Sequence, residues 1–395
     1  MGMNLLIISG FPSKAKPWTN PFVKELVRHL IPKLKSVTVV SPQAFVPYRP
    51  KLPYKAVQSL SGVTKDSTVE VLRPRYPAVP IGRVGSRFRA IATQRAHAHT
   101  TLQCIKREDL EFDVVYSHFL FRSGYSAIAV GRRLGIPVII GCGESDMRKH
   151  ERPYGITRMR RIAGSADHLI PVSNSILRYL TDTLSVPKEK VTVLPNGVDP
   201  ELFYPRDKER ARANLGLPKD QFIPIFVGHF NERKGVGRLV AALKSMSPTP
   251  KAIFLGTGAF PPPDEVVLFS GTVSHDNVPH YLSAADVFVL PTRAEGCCNA
   301  VLEAQACGLP VISSAIPGVE EHVPADVGIL TPPDAVPEIA QAIRDLRDNL
   351  SLRAEMGLSA QRHAQHYNVT GRAERVASIL MRAGGEPEAV AGVGP

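Results

Sequence analysis

Cysteine is scarce, with 5 in 395 residues, and two of them, Cys297 and Cys298, are adjacent. That excludes a disulfide framework and fits a reducing compartment. Long apolar runs are missing too. No window approaches the roughly 20 consecutive apolar residues that a membrane span needs. Residues 1–11 lack the basic segment and small-residue cleavage site of a secretory signal, so a cytoplasmic location is expected. There is no heptad pattern and no internal repeat. No His, Cys, Asp or Glu cluster has metal-ligand spacing. No aromatic–basic stacking module marks residues 1–200 as a nucleic-acid binder.

Acidic residues are scarce in one half only. Residues 1–200 hold 30 Lys and Arg against 14 Asp and Glu, and residues 201–395 hold 18 against 22. A net +16 in the first half and −4 in the second therefore make up the +12 of the chain. A basic half implies a polyanion or an anionic membrane surface as its partner, or only a margin of solubility.

What is present is an ordinary globular composition, 44% hydrophobic and 21% charged, over a length that suits two domains. Short apolar runs recur at 4–9, 37–41, 113–117, 138–140, 168–172 and 191–194. In the second half they recur at 223–227, 251–255, 286–290 and 310–313. They do not alternate, which is how strands buried on both faces of a parallel sheet read. Helical patterns lie between and after them at 22–30, 235–243, 300–307, 338–346 and 372–382. Alternating strand and helix gives right-handed βαβ units. Two such sets predict two doubly wound, Rossmann-like α/β domains. The turn Pro195-Asn196-Gly197-Val198-Asp199 places the boundary, giving domains at 1–198 and 199–370. A helix at 371–383 follows, placed to cross back to the first domain. The Gly/Pro/Ala-rich tail 384–395 is expected to be disordered.

Open α/β sheets bind ligands beyond the C-terminal ends of their strands. At one such end, residues 291–310 read PTRAEGCCNAVLEAQACGLP. Glu295 sits in the loop, and a helix begins near Asn299, where free N–H groups and the positive dipole end suit a phosphate. Glu303 lies about two helical turns beyond Glu295. Two carboxylates so spaced suit the two ends of an extended ligand such as a nucleotide-sugar, or are simply two solvated residues on a helix face.

The flanking residues carry more weight. Glu295, Gly296, Asn299, Glu303, Ala304, Ala306, Gly308, Pro310 and Val311 fill nearly every fixed position of the pattern E-G-x-x-N-x-x-x-E-A-x-A-x-G-x-P-V. The segment resembles the signature of the family 4 retaining glycosyltransferases. The resemblance implies the GT-B architecture, two Rossmann-like domains facing across a cleft, the first binding an acceptor and the second the donor. It implies that Glu295 orients the donor sugar and Glu303 holds the ribose. Gly296, Cys297, Cys298, Asn299 and Ala300 would form the adjoining donor-binding loop and helix start.

Residues 226–243, FVGHFNERKGVGRLVAAL, resemble the family's phosphate-binding loop beginning at Gly228. His229 stands where many members carry Arg, and the phosphate role falls to Arg233 and Lys234. Two cations there could neutralise a diphosphate leaving group in place of a metal. Thr272 and Val273 match the position where the family passes the nucleobase. In the first half, residues 9–30 resemble the first strand–loop–helix, with Asn20-Pro21 where glycine is frequent. His118 follows a strand, where the family often has a histidine beside sugar and acceptor, and is the fourth catalytic candidate with Glu295, Arg233 and Lys234. Asn20, Glu144 and Asp146 are the acceptor-side candidates, with the choice between the two carboxylates open.

The expected reaction is retaining transfer of a sugar from a nucleoside-diphosphate sugar to an acceptor hydroxyl. The expected acceptor is a glycan or lipid-linked molecule of cell-envelope or exopolysaccharide synthesis, with no cofactor, no essential metal and no nucleic-acid partner. Members of this family often work at the inner membrane face. That makes Arg73, Arg75, Arg83, Arg87, Arg89 and Arg95, with Arg148, Lys149, Arg152, Arg158, Arg160 and Arg161, candidates for contact with anionic lipid. The alternatives are a sugar-nucleotide epimerase on the same fold and a non-catalytic polyanion-binding protein.

Overall fold

The apolar runs become strands in the computed structural model, which describes residues 2–13, 19–45, 52–60, 68–77 and 86–385. Nine lie in the first half: β1 Asn4–Ile8, β2 Ser36–Val40, β3 Gln43–Phe45, β4 Lys55–Ser59, β5 Thr68–Leu72, β6 Arg75–Pro77, β7 Val114–His118, β8 Val138–Cys142 and β9 His168–Pro171. Six follow: β10 Pro224–Val227, β11 Ala252–Leu255, β12 Val267–Gly271, β13 Val287–Leu290, β14 Val311–Ser314 and β15 Gly328–Thr331.

The chain divides into two compact units, Met1–Pro195 with Val369–Pro395, and Asn196–Asn368. The expected boundary at 198/199 falls a few residues late. The last helix spans Val369–Ala383 and packs in the first unit, where Ala373, Val376, Ala377 and Leu380 share a core with Val23, Val27 and Leu30 of helix Pro21–Leu30. Arg372, nearly buried, donates to the carbonyls of Leu194 and Pro195 and so ties this helix to the point where the chain leaves the unit. Of the tail expected to be disordered, residues 386–395 lie outside the described residues.

In the first unit, the sheet order is β4-β5-β2-β1-β7-β8-β9, parallel except for the antiparallel edge strand β4. Strands β3 and β6 pair separately. In the second unit, the order is β12-β11-β10-β13-β14-β15, all parallel. Among its parallel strands, each sheet turns back on its own sequence order at one place, between β1 and β7 and between β10 and β13. Those are the switch points at which doubly wound sheets open a crevice. The central strands are buried on both faces, as their unbroken apolar sequence requires: Leu5 to Ile8 in β1 and Val287 to Leu290 in β13 are fully covered.

The run at 191–194 does not join the sheet as a strand. Val191 makes one bridge to Leu169, and the N–H groups of Thr192 and Leu194 donate to Leu169 and Pro171 before Pro195 ends the pairing. Strands β3–β6 and helix Ser86–Arg107, rich in Arg, His and Thr, carry no clean apolar pattern. Among the described residues, no helix is long and apolar enough to cross a membrane.

Candidate active site

The second unit gathers its polar groups at the C-terminal ends of β10 and β13. The loop after β10 supplies Gly228, His229, Arg233 and Lys234, and the loop after β13 supplies Thr292 and Glu295. The two loops are knitted together by backbone. Arg293 N–H donates to the Arg233 carbonyl at 2.9 Å, and the Arg238 guanidinium donates to the Pro291 carbonyl at 2.7 and 3.0 Å. Gly235 permits this approach. Its φ is +83°, and a Cβ there would stand 2.1 Å from the Pro291 oxygen.

Glu295 is the hub. Its Oε1 accepts from Thr292 Oγ1 at 2.7 Å, Lys234 Nζ at 2.8 Å and Arg233 Nη1 at 3.0 Å. The carboxylate is buried, and Gly318 (φ +83°) lets the following loop press against the Glu295 backbone, where a Cβ would lie 2.3 Å from the Glu295 oxygen. Burial would lower the Lys234 pKa, but the Glu295 carboxylate outweighs it and the ammonium is held above its usual range. Gly228 faces the Lys234 stem, its Cβ position 3.5 Å from Cδ. His229 is exposed, and its ring meets the Thr257 carbonyl at 3.3 Å.

Helix Asn299–Ala306 starts directly behind this hub. Gly296 and Cys298 are buried, while Cys297, Asn299 and Ala300 are half-buried. Burial, and then the Glu295 charge, push the Cys298 thiol up, so it behaves as a small apolar side chain. Asn299 Oδ1 accepts from Asn196 Nδ2 at 2.9 Å. Glu303 lies farther along the helix and meets His275 Nε2 at 3.0 Å. His275 sits three residues beyond Thr272, on the loop after β12, so that loop and Glu303 are held together. Thr272 is exposed. Val273 is half-buried and lines a separate cavity of about 320 Å³ with Ala211, Asn214, Asn277 and Tyr281. His275 was missed at the sequence level because nothing in the spacing pairs it with Glu303.

In the first unit, a cavity of about 410 Å³ opens at the β1/β7 switch point. Gly10 and Asn20 line it from the loop after β1, Phe119, Phe121, Arg122 and Ser123 from the loop after β7, and Glu144 and Ser145 from the loop after β8. Asn20 adopts φ +46° and its Nδ2 donates to the Gly10 carbonyl at 3.2 Å. Glu144 is 5% exposed. Its Oε1 accepts from Leu120 N–H, its Oε2 has no partner among the described residues, and burial pushes its pKa up to about 7.

Two other candidates lie outside the lining of this cavity. Asp146 does not line the cavity: it caps the turn Met147–His150 by accepting from Arg148 N–H at 3.0 Å and pairs with Lys149 at 3.7 Å. Nor does His118. It is 1% exposed, packed between Phe22 and Phe119, with Nδ1 3.0 Å from the Tyr116 hydroxyl. Burial, helped by Arg372, lowers its pKa to about 3, so the imidazole is neutral.

The basic patches divide in the same way. Arg73 is buried and donates to the Pro12 carbonyl, and Arg158 is half-buried on Gln94. Arg75, Arg87, Arg95, Arg148, Lys149, Arg152, Arg160 and Arg161 are exposed, Arg89 is half-buried, and Arg83 lies outside the described residues.

Comparison with known proteins gives the family and the fold. The family model described as glycosyl transferases group 1 matches residues 207–363, and the one described as glycosyltransferase family 4 matches residues 19–202. The putative teichuronic acid biosynthesis glycosyltransferase TuaC of Bacillus subtilis is 29% identical over 392 residues, covering 93% of this chain and 98% of that protein. Among solved structures, sucrose-phosphate synthase from Thermosynechococcus elongatus superposes with a TM-score of 0.79 at 21% identity, covering 96% of this chain and 98% of that one. HepE of Anabaena, in complex with UDP and glucose, superposes with a TM-score of 0.72 at 17% identity, covering 96% and 99%. At these identities the two structures attest the shared two-domain fold with parallel sheets.

Proposed function

Since the chain belongs to the group 1, family 4 glycosyltransferases of GT-B fold, we propose that it takes its sugar from a nucleoside-diphosphate sugar and transfers it, with retention, to an acceptor hydroxyl. The single observation that carries this reading is the convergence of Arg233, Lys234 and Thr292 on Glu295 at the strand ends of the second unit. The UDP bound in the HepE structure supports a nucleotide donor.

In this reading, the barrier is cleavage of the anomeric C–O bond while negative charge builds on the diphosphate. Arg233 and Lys234 offset that charge, aided by the N-terminus of helix Asn299–Ala306. Glu295 keeps the two cations in place and orients the donor sugar, with Gly296, Cys297 and Cys298 shaping its surroundings. Glu303 holds the ribose hydroxyls, and Thr272 and Val273 flank the base. The reaction so described runs on side chains and backbone N–H groups, without a cofactor or an essential metal. His118, buried and neutral, with its Nε2 unpartnered among the described residues, is the group of the first unit placed beside sugar and acceptor in this reading. The acceptor belongs to the first unit and is a glycan or lipid-linked molecule of the cell envelope. The exposed arginines of that unit bring the protein to the anionic inner face of the membrane from the cytoplasm.

The test is a thermal-shift screen against UDP-, GDP- and ADP-sugars. A true donor raises the apparent Tm by an amount that grows with the logarithm of its concentration over Kd, and Lys234→Ala should reduce the shift. No shift with any nucleotide-sugar would overturn the reading.

A further inference from the structure

The cavity in the first unit holds more chemistry than a generic acceptor site requires. The turn that forms one wall is strained. Phe119 has φ +77° and Arg122 φ +52°, both in the left-handed region that non-glycine residues avoid. Glu144 accepts a backbone N–H from inside that turn, at Leu120, so a buried carboxyl group stabilises the unusual path. The result is that Phe121 and Arg122, adjacent in sequence, both line the cavity. Phe121 packs on His150 and Tyr154, with ring centroids 4.3 and 5.3 Å away and planes within 27° and 12°. All three rings line the cavity. Arg122 is exposed, its charge acts on His97, His150 and Tyr154 of the cavity wall, and no ion pair with a carboxylate holds it among the described residues. Glu144 Oε2, in a side chain more than nine-tenths buried, is likewise without a partner. Buried polar atoms are normally satisfied, and an unsatisfied one in a cavity wall points to a missing ligand group.

We propose that this cavity selects an acceptor whose sugar ring carries an anionic group, a carboxylate or a phosphate, with Arg122 binding the anion. The ring packs against the Phe121, His150 and Tyr154 wall, and Glu144 binds one of its hydroxyls. An aromatic-lined pocket with a few convergent polar groups suits such a ligand. A guanidinium is the side chain best matched to a planar carboxylate or a phosphate. This inference rests on the glycosyltransferase reading and specifies its acceptor.

The test uses the full chain with saturating UDP and titrates four probes: glucose, glucuronate, glucose 6-phosphate and inorganic phosphate. At least one anionic sugar should bind about tenfold or more tightly than glucose, the gain expected of one charge-assisted hydrogen bond. Whichever of the two wins identifies the anion. Arg122→Gln should remove the preference while leaving glucose and UDP affinities unchanged. Glu144→Gln should weaken every sugar and spare UDP. Equal binding of charged and neutral sugars, a preference that survives Arg122→Gln, or inorganic phosphate binding as tightly as glucose 6-phosphate would each overturn the proposal. UDP binding with no sugar binding at all overturns it and leaves the donor reading standing. Sugar binding with no binding of UDP, GDP or ADP overturns the donor reading instead.

Discussion

Lys234 Nζ and Glu295 Oε1 lie 2.8 Å apart, and that carboxylate oxygen also accepts from Thr292 and Arg233. The redundancy separates catalysis from stability. In Lys234→Ala, Glu295 keeps two donors, so folding is nearly unaffected. The loss falls on the developing diphosphate charge, and kcat should drop by about 10²–10³-fold. In Glu295→Ala, two cations lose their shared counter-charge in a partly buried site. That variant should lose activity and also melt clearly lower than Lys234→Ala. Steady-state kinetics and thermal melts on the two variants check both statements.

His275 Nε2 meets Glu303 at 3.0 Å and brings the loop after β12 to the helix that bears this carboxylate, proposed above to hold the ribose. A residue that orients a binding group without touching the reacting atoms should act on donor KM more than on kcat. His275→Ala should raise donor KM about 10–100-fold, the range for a charge-assisted hydrogen bond. His275→Gln, which still offers an N–H, should recover most of the loss. An equal fall in kcat for both variants would mean that His275 acts elsewhere.

The polar cluster proposed as the donor site was legible because its residues are close in sequence and the motif is contiguous: Glu295 and Glu303 share one loop and helix, and Arg233 and Lys234 follow directly on a buried strand. His275 was not legible, since it meets Glu303 across 28 residues through folding alone. Glu144 and Asp146 are two acidic residues two positions apart, and only burial shows that one lines a cavity while the other caps a turn. The Phe119–Arg122 turn could not be foreseen either, because left-handed backbone at Phe and Arg leaves no mark in residue type. Strands β3, β4 and β6 are short, and neither alternation nor a continuous apolar run announced them, while β5 alternates over only five residues.

The approach of Gly235 to Pro291 gives a prediction about backbone alone. Gly235→Ala must place a Cβ 2.1 Å from a carbonyl oxygen at φ +83°. The strained backbone alone costs about 1–3 kcal/mol, and relief of the clash must part the two loops that carry Lys234 and Glu295. Stability and activity should fall together. Gly237, two residues on in helix Val236–Lys244, is exposed with nothing within 4 Å of its Cβ position. Gly237→Ala should therefore be neutral or stabilising by up to about 1 kcal/mol. Denaturant titrations of the two variants, side by side, test whether the glycine is required by geometry.

Three buried histidines set the acid limit of the fold. Burial lowers His97 and His118 to about 3 and His322 to about 4, against about 6.5 in an unfolded chain. Below pH 6.5 the unfolded chain binds protons that the folded chain refuses. Their contribution to stability is therefore fully present above 6.5 and is lost as pH falls toward 4. The loss approaches about 1.4 kcal/mol per pH unit for each residue. Glu144 has the opposite sign. Its folded value of about 7 lies above the usual carboxyl value, so its contribution is present below about 4.5 and is lost as pH rises through 7. Glu144→Gln should therefore gain stability over the unaltered protein as pH rises from 5 to 8. The double variant His97→Asn, His118→Asn should flatten the acid arm below pH 6.5 and leave the alkaline side unchanged. Denaturant midpoints measured at half-unit steps from pH 4.5 to 8 would show both effects. An acid arm unaltered in the histidine variant would mean that those two side chains are protonated in the folded protein.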